Sequence, residues 1–483
     1  MDGAPGVGAI ARTGLRRDLG VIESYAVLIG ILIGAGIFKV TGQAWQLTGP
    51  SVILGYVVLA PAILATSIPY SIYLSTPLGR LPGGEYTHIS RTFGGYGVAF
   101  VGVWLKIISY IGALAYLAIA FAEYVVEISG GLLNLAAHRI LLAVGCLAFF
   151  YLAHAIGVRW FARLQVAMCA LKICAIAVLV APGLFAIHSE NYRPFFTHGF
   201  SGFASALPPL FFAYAGFESL AQAAGEVKDS TRKLPHIFLK GIGATAVLYL
   251  GMSIVAFGVL PGSRLSMSSA PMVEVASVYA PGAASWFVGL GAVMAITTAL
   301  NASMLVPSRL GIMLARDRLA PSWIGRVEPR TGTPILGLTL TLGAAVILVL
   351  SGQVSLALNI AVFALVLLYF LHSLSVLFLP KANPELFRSV TVRLPKAIWR
   401  GGAILSLLCM GALIAVQLAQ DFRTLGSLGL RERIWQQSLT AIELCFVWGL
   451  VGALIYWIGR RRGALDAHDY TAALRVSYLE PDA

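Results

Sequence analysis

Long apolar stretches recur along this sequence and constrain its fold more than any other feature. A helix of about 20 apolar residues is long enough to cross the hydrocarbon core of a bilayer, and the sequence contains twelve such stretches. Only 11% of the 483 residues are charged, against roughly 25% in soluble domains. The pattern predicts an all-α integral membrane protein with twelve transmembrane helices. The predicted spans lie near 22–47, 51–75, 98–126, 138–157, 164–186, 202–224, 237–260, 285–313, 334–351, 354–379, 401–420 and 437–459.

The positions of the basic residues predict the orientation of these spans. Of the 34 Lys and Arg residues, Lys39, Lys106 and Lys172 lie within spans and six lie in the loops on one side, so 25 lie on the side of the N- and C-terminal tails. Basic residues concentrate on the cytoplasmic side of membrane proteins. We therefore expect both termini in the cytoplasm and a location in the plasma (inner) membrane. The net charge of +13 then reflects topology and contact with anionic membrane lipid, and nucleic acid is not an expected partner.

Two of the spans contain small residues where a continuous helix is expected. The first span reads GAGIF from Gly34, and the sixth carries Ala213 to Gly216 within FFAYAGFESL. A broken backbone in a bilayer has no water to bond and is tolerated where it lines a site, although pairs such as Gly30 and Gly34 also mark close helix packing. Interruptions five spans apart predict a five-plus-five inverted repeat with discontinuous helices one and six. The predicted organisation is an N-tail at 1–21, a ten-helix transport core at 22–379, a linker with helices eleven and twelve at 380–459, and a C-tail at 460–483.

The two breaks have complementary chemistry. A half-helix that starts inside the membrane exposes unpaired N–H groups with partial positive charge, so the amides of Ala35, Gly36 and Ile37 suit a substrate carboxylate. The outer half of helix six ends near Phe212 to Ala215, where unpaired carbonyls suit an ammonium group. A zwitterionic α-amino acid satisfies both ends and is the expected small-molecule substrate.

Three motifs make the chain similar to the amino acid/polyamine/organocation (APC) transporter superfamily, of the bacterial amino acid permease type. They are IGAGIF in the first span, FFAYAGFESLAQAAGEVKDSTRKLP in the sixth, and LNASMLVPSRLGIMLARDRLAP around the end of the eighth. The resemblance covers roughly residues 15–460. It implies a ten-helix inverted-repeat core, a substrate site at the membrane midplane, and secondary active transport by alternating access.

The resemblance also implies roles for the residues at the breaks. It implies that the carbonyls of Leu32, Phe212 and Ala215 bind the substrate amine. Phe212 matches the aromatic gate over the substrate, with a core or lipid-facing phenylalanine as the alternative. Structural roles are expected for Gly34, Gly216 and Glu218, the last as a hydrogen-bond anchor of the unwound segment.

The fifth span contains a lysine, Lys172, about eight residues from its predicted cytoplasmic end. A lysine near mid-span costs on the order of 2.5–3.5 kcal/mol on insertion scales, unless its side chain snorkels to the interface. In sodium-independent members of the superfamily, a fifth-helix lysine fills the cation position between helices one and eight, and Lys172 matches it. The resemblance implies contacts with first-helix carbonyls and the hydroxyl of Thr297 or Thr298. We expect sodium independence, with proton coupling or exchange.

Residues of helices three, six, eight and ten that face the breaks are candidates for selecting the substrate side chain. They are Ser109, Tyr110, Phe212, Thr298, Asn301 and Asn359. None is acidic, which favours a neutral amino acid, because a cationic side chain usually requires a carboxylate or an aromatic cage. A polyamine or cationic amino acid antiporter and a non-transporting amino acid sensor stay open as alternatives. Lys106 is expected to snorkel, and His154 and His372 to be satisfied core residues.

The spans argue against other classes of membrane protein. They carry no pair of aspartates and no His-rich cluster, which intramembrane enzymes and metal sites require, so we expect no enzyme, no metal and no cofactor. The loop EISGGLLNLAAHR between helices three and four has no cysteine. Superfamily members that pair covalently with a single-span glycoprotein use a cysteine there, so no disulfide-linked ancillary subunit is expected.

Overall fold

The computed structural model describes residues 15–129, 138–352, 354–435 and 439–465, and the regular elements within these ranges are helices. A helix satisfies its own backbone hydrogen bonds, so it is the form that an apolar span takes in a bilayer. The first ten α-helices are α1 (Val21–Leu32), α2 (Thr41–Thr48), α3 (Val52–Leu74), α4 (Gly84–Phe93), α5 (Gly97–Ile128), α6 (Arg139–Ile156), α7 (Val158–Gly183), α8 (Gly199–Tyr214), α9 (Ser219–Gln222) and α10 (Ser230–Val259). The remainder are α11 (Gly262–Met267), α12 (Pro271–Tyr279), α13 (Ala283–Arg316), α14 (Ile335–Leu350), α15 (Val354–Ala382), α16 (Pro384–Arg388), α17 (Lys396–Ser427), α18 (Leu430–Trp435) and α19 (Ala441–Leu465).

Ten helical segments in these ranges are long and apolar enough to cross a bilayer. The first, Val21–Leu74, contains two of the predicted spans, and the apolar helix α14 is shorter, at 16 residues. An all-α, multi-pass membrane architecture follows, whereas the count of twelve, the inverted repeat and the domain boundaries stay predictions. Parts of the predicted tails (1–14 and 466–483), loop residues 130–137 and the side chain of Asn359 lie outside the described residues.

Both predicted helix interruptions are present. Helix α1 ends at Leu32, and a π-helical segment at Gly36–Val40 leads into α2. Helix α8 ends at Tyr214, and α9 starts at Ser219. Between them, the backbone of Ala215 is extended, and Gly216 has a φ of 100°, in the left-handed region that glycine adopts without a steric penalty. The breaks therefore fall at 33–35 and 215–218, within two residues of the predicted 34–36 and 213–216.

Helix α1 lies inside the bundle and packs against α7, α10 and α13, while α5 packs along α13 and α15. The two last long helices, α17 and α19, are largely exposed. Since they are also apolar, their exposed faces are suited to lipid. The two breaks themselves are buried in protein, which is one of the settings in which a bilayer tolerates non-helical backbone.

The side of the molecule that carries residues 15–20, which we call the tail face, is closed by buried ion pairs. Arg91 of α4 pairs with Asp317 at 2.8 Å, and Arg309 of α13 pairs with Glu226 at 2.7 Å. These four side chains are at most 3% exposed. The Leu19 amide also donates to the Glu226 carbonyl at 2.9 Å. The ends of α1, α4, α9 and α13 are therefore tied together on this face.

We expect Asp317→Asn to lower the free energy of unfolding by about 3 kcal/mol, because it leaves the buried guanidinium of Arg91 without its counter-charge. The measurement is thermal unfolding of the purified protein in a mild detergent. Asp229→Asn is the matched control, since Asp229 forms an exposed pair with Lys233 and such pairs contribute roughly 0–1 kcal/mol. Equal losses in the two variants would show that the buried pair has no special role.

Candidate functional site

A small cavity of about 30 Å³ lies between the two breaks. Predicted site residues from three elements contribute to its wall: Leu32, Ala35 and Gly36 from the first break, Phe212 and Ala215 from the second, and Ser109 and Tyr110 from α5. The other lining residues are Ile31, Gly34, Ala113, Leu117, Gly216, Ala299, Ser303 and Leu365. A space of this size accommodates about two water molecules. It must therefore enlarge to admit a small organic ligand.

A larger cavity, of about 860 Å³, lies elsewhere, between α5, α13, α14 and α19. Its wall is mainly apolar, and it includes no residue of either break. Ligand sites combine an apolar wall with a few convergent polar groups. The backbone groups of the breaks provide such polar groups, so the smaller cavity is the candidate site.

The two breaks are in direct contact. A Cβ atom added to Gly36 would lie 2.3 Å from the Cα of Ala213, so the start of the π-helical segment and the end of α8 approach as closely as backbone allows. Tyr249 of α10 joins them, because its hydroxyl lies within hydrogen-bonding distance of both the Leu32 and the Ala213 carbonyl oxygens. A phenol has one proton, so it can donate to only one of these carbonyls at a time.

Tyr249 was missed in the sequence analysis. Tyrosines are frequent in this sequence, with 18 in all, and nothing in the local pattern around Tyr249 distinguishes it. The only general signal is that a buried tyrosine hydroxyl needs a hydrogen-bond partner. A broken helix is a source of such partners, but the sequence does not show which tyrosine faces the break.

The carbonyls predicted to bind an amine differ in how many hydrogen bonds they already accept. The Leu32 carbonyl accepts from the Gly34 amide at 3.0 Å and shares the single Tyr249 proton with the Ala213 carbonyl, so its second lone pair is free only while Tyr249 donates to Ala213. The Phe212 carbonyl accepts from the Ala215 amide at 3.2 Å, which leaves a second lone pair. The end of α8 is thus a better acceptor for a new ammonium group than Leu32.

Lys172 lies against the end of α1. Its ammonium lies 2.9–3.1 Å from the carbonyl oxygens of Ile29, Gly30 and Ile33, and 2.9 Å from Thr298 Oγ1, so three N–H donors are shared among four acceptors. The side chain is fully buried, so it does not snorkel. The last carbonyls of a helix lack intrahelical partners and carry partial negative charge. At the first break, the buried ammonium supplies both hydrogen-bond donors and a compensating positive charge.

Other predicted site residues lie outside the cavity. Thr298 contacts Lys172, whereas Thr297 Oγ1 lies 2.9 Å from the Val293 carbonyl oxygen and 3.4 Å from Met168 Sδ, so Thr297 is not a partner of Lys172. Ile37 and Asn301 are not part of the cavity wall. The Asn301 amide donates instead to Gln165 Oε1 at 2.7 Å, in the packing between α7 and α13.

Glu218 anchors the second break from the tail-face side. Its carboxylate accepts hydrogen bonds from Tyr110 at 2.7 Å and from Tyr369 of α15. The Tyr369 hydroxyl in turn accepts from the Gly216 amide at 3.3 Å. The carboxylate therefore orients the unwound backbone through a tyrosine that the sequence analysis did not identify.

The prediction that Lys106 snorkels was wrong. Its side chain is 1% exposed, and its ammonium lies 2.7 Å from Glu85 Oε2 and 3.7 Å from Glu218 Oε1. Helix α4 supplies Glu85, and the sequence alone does not show that this loop helix packs against α5. Burial raises the pKa of the Glu85 carboxyl, and Lys106 opposes that rise.

The two histidines expected in the core are both buried, but their surroundings differ. His154 Nε2 lies 2.9 Å from the Asn301 carbonyl oxygen. His372 Nε2 lies 3.0 Å from Nδ1 of His88, so it is part of a histidine pair near Tyr70 and is not alone on an apolar face.

Comparisons with known proteins identify similar sequences. A family model described as amino acid permease matches residues 19–430. The chain is 31% identical to the chloroplastic cationic amino acid transporter 9 of Arabidopsis thaliana, over 65% of this chain and 58% of that protein. It is 26% identical to a branched-chain amino acid permease of Bacillus subtilis (66% and 71% covered) and 26% identical to Asc-type amino acid transporter 1 of Mus musculus (80% and 74%). The match thus spans little more than half of the plant protein.

We expect Gly36→Ala to destabilise the protein by about 1–3 kcal/mol, the usual cost of overpacking, because the new methyl group overlaps the backbone of Ala213. Thermal unfolding measures the effect. Gly343→Ala, at a helical position where a Cβ meets nothing within 4 Å, is the control and is expected to stabilise slightly through helix propensity. A neutral result for Gly36→Ala would mean that the two breaks are not held in contact.

A second prediction separates the two neighbouring threonines. Thr298→Val removes an acceptor from the buried ammonium of Lys172 and is expected to cost about 1–3 kcal/mol of stability. Thr297→Val removes only bonds within its own helix and to a sulfur, and is expected to cost less than about 1 kcal/mol. Chemical or thermal unfolding of both variants gives the comparison, and the reverse order would contradict the assigned contacts.

Proposed function

Because the chain belongs to the amino acid permease family, we propose that it is a secondary active transporter that moves amino acids across the membrane by alternating access. The observation that carries the proposal is the contact between two helix breaks of opposite polarity at one cavity. Amides at the start of the π-helical segment suit the substrate carboxylate, and carbonyls at the end of α8 suit its ammonium group. Backbone groups then recognise the part that all α-amino acids share.

The cavity wall supports a neutral substrate side chain. Ala113, Leu117, Ala299 and Leu365 are apolar, and Phe212 covers the same space. The polar groups of α5 in the wall already have partners, since Ser109 donates to the Ala361 carbonyl and Tyr110 donates to Glu218. A charged side chain would need a counter-charge in this wall, where the lining residues supply none.

The contacts of Lys172 support transport without sodium. A cation is already present between α1 and α13, bonded to three backbone carbonyls and to Thr298. These oxygen ligands are of the kind that a hard metal cation would use. The ammonium therefore takes the coordinating role, and coupling to a proton or to exchange of a second amino acid provides the driving force.

The tail face is proposed to be cytoplasmic, in accord with the basic residues on that side. Its buried ion pairs and the Glu218 anchor support a cavity that is closed on this side. On the opposite side, the ion pair between Lys39 and Glu123 has side chains that are 16% and 27% exposed. The arrangement supports a form closed to the cytoplasm, from which transport proceeds by separating the tail-face contacts.

Two alternative functions are tested with the same purified protein. One is an antiporter of cationic amino acids or polyamines, which the name of the Arabidopsis relative favours. The other is a sensor that binds amino acids without moving them. A thermal-shift screen against the twenty amino acids and common amines identifies the ligand class, because binding stabilises the folded state. Uptake into vesicles then separates a transporter from a sensor.

We expect uptake of a labelled neutral amino acid into proteoliposomes to be unchanged, within about twofold, when choline replaces sodium. The physical reason is that Lys172 already supplies the cation that would otherwise have to bind. Protein-free liposomes are the control. Loss of uptake in choline would refute the role of Lys172, whereas ligand-dependent thermal stabilisation without any uptake would indicate a sensor.

A further inference from the structure

A polar pocket of about 280 Å³ opens on the tail face, away from the cavity between the breaks. Four arginines contribute to its wall, against one carboxylate. These five residues are Arg16, Arg159, Arg163, Arg330 and Asp18. Three separate parts of the chain meet there, namely the segment before α1, the junction of α6 and α7, and the loop between α13 and α14.

The single carboxylate neutralises only one of the guanidinium groups. Asp18 forms an ion pair with Arg159 at 3.1 Å. Arg16 donates to the Pro329 carbonyl, at 3.4 Å, and Arg163 lies over the Trp160 ring. Among the residues that the structure describes, no carboxylate pairs with Arg16, Arg163 or Arg330. The pocket therefore carries an excess of positive charge.

Uncharged hydrogen-bond donors lie beside the same pocket. Helix α7 begins at Val158 beside the pocket, and the amides of Val158 and Arg159 in its first turn have no backbone acceptor among the described residues, which makes a helix start a site for anions. The first bonds to the Gly157 carbonyl come from the amides of Trp160 and Phe161. The hydroxyl oxygen of Thr331 in the pocket wall is buried and has no hydrogen-bond partner within the described ranges.

We propose that this pocket binds a phosphate group, carried either by a soluble phosphate compound or by the headgroup of an anionic lipid. Guanidinium groups bind phosphate through paired, charge-assisted hydrogen bonds, and the helix start adds neutral donors. The positive-inside rule explains why arginines are frequent on this face. It does not explain why four of them surround one cavity together with a helix start and an unpartnered hydroxyl.

A bound phosphate would hold the three segments together. Leu19, next to Asp18, bonds to the Glu226 carbonyl through its amide and accepts from the Lys228 amide, each at 2.9 Å. The pocket is thereby connected to the segment that follows α9 on the closed tail face. Occupancy stabilises this closed arrangement. Phosphate binding itself does not depend on the proposed transport function and is measured without it.

The experiment uses the full-length protein in a neutral detergent, with thermal unfolding followed against inorganic phosphate and pyrophosphate at constant ionic strength set by chloride. We expect a concentration-dependent rise of the unfolding midpoint. Arg163→Gln and Arg330→Gln are each expected to weaken the apparent affinity about tenfold or more, because each removes a charge-assisted hydrogen-bond donor. Arg326→Gln is the matched control: Arg326 lies on the same loop as Arg330, is exposed, and is outside the pocket.

Lipid nanodiscs distinguish the two sources of phosphate. Discs of neutral phosphatidylcholine are compared with discs that contain phosphatidylglycerol, without added phosphate. Stabilisation by phosphatidylglycerol that Arg330→Gln reduces and Arg326→Gln retains would identify a lipid headgroup, and stabilisation by pyrophosphate alone would identify a soluble ligand. The proposal is overturned if neither source stabilises the protein, if chloride does so equally, or if the pocket variants behave like Arg326→Gln.

Discussion

Backbone N–H and C=O groups inside a bilayer need hydrogen-bond partners. In this molecule, the two helix breaks bring backbone groups without helical partners together at one cavity. Side chains provide some of these hydrogen bonds. Lys172 bonds to the last carbonyls of α1, Tyr249 lies between Leu32 and Ala213, and Tyr369 accepts from the Gly216 amide. The proposed substrate provides the remaining hydrogen bonds. Recognition of the amino and carboxylate groups is then a property of the backbone, and selection among side chains falls to a separate, largely apolar wall.

The same helices that form the cavity also close the tail face. Helix α13 carries Thr298 beside the first break and Arg309 in the ion pair with Glu226, and these positions are ~16 Å apart along the axis of an α-helix. Helix α5 similarly carries Tyr110, which lines the cavity and bonds to Glu218. Because a helix moves as a rigid element, opening the tail face must also rearrange the cavity. This linkage is the physical basis for alternating access in the proposed cycle.

Much of the fold was predictable because a bilayer imposes one strong rule on the chain. Apolar length predicts helices, and small residues at mid-span predict where those helices stop; both breaks lie within two residues of the predicted positions. Lys172 was conspicuous because a buried charge is costly in a membrane, and it lies against the carbonyls of the first break. The family resemblance, now supported by a match over residues 19–430, supplied the expected site between helices one and six.

The sequence by itself therefore determined that the chain is a helical membrane protein, the positions along the chain at which two helices break, and the polarity of the exposed backbone. Only the tertiary structure decided which side chains meet there. Thr298 and not Thr297 contacts Lys172 because adjacent residues of a helix point about 100° apart. Lys106 is paired because α4 brings Glu85 to it. Spans that are apolar on all sides carry no periodic signal that shows which face points inward. These contacts are therefore set by packing between distant segments, which the local sequence does not encode.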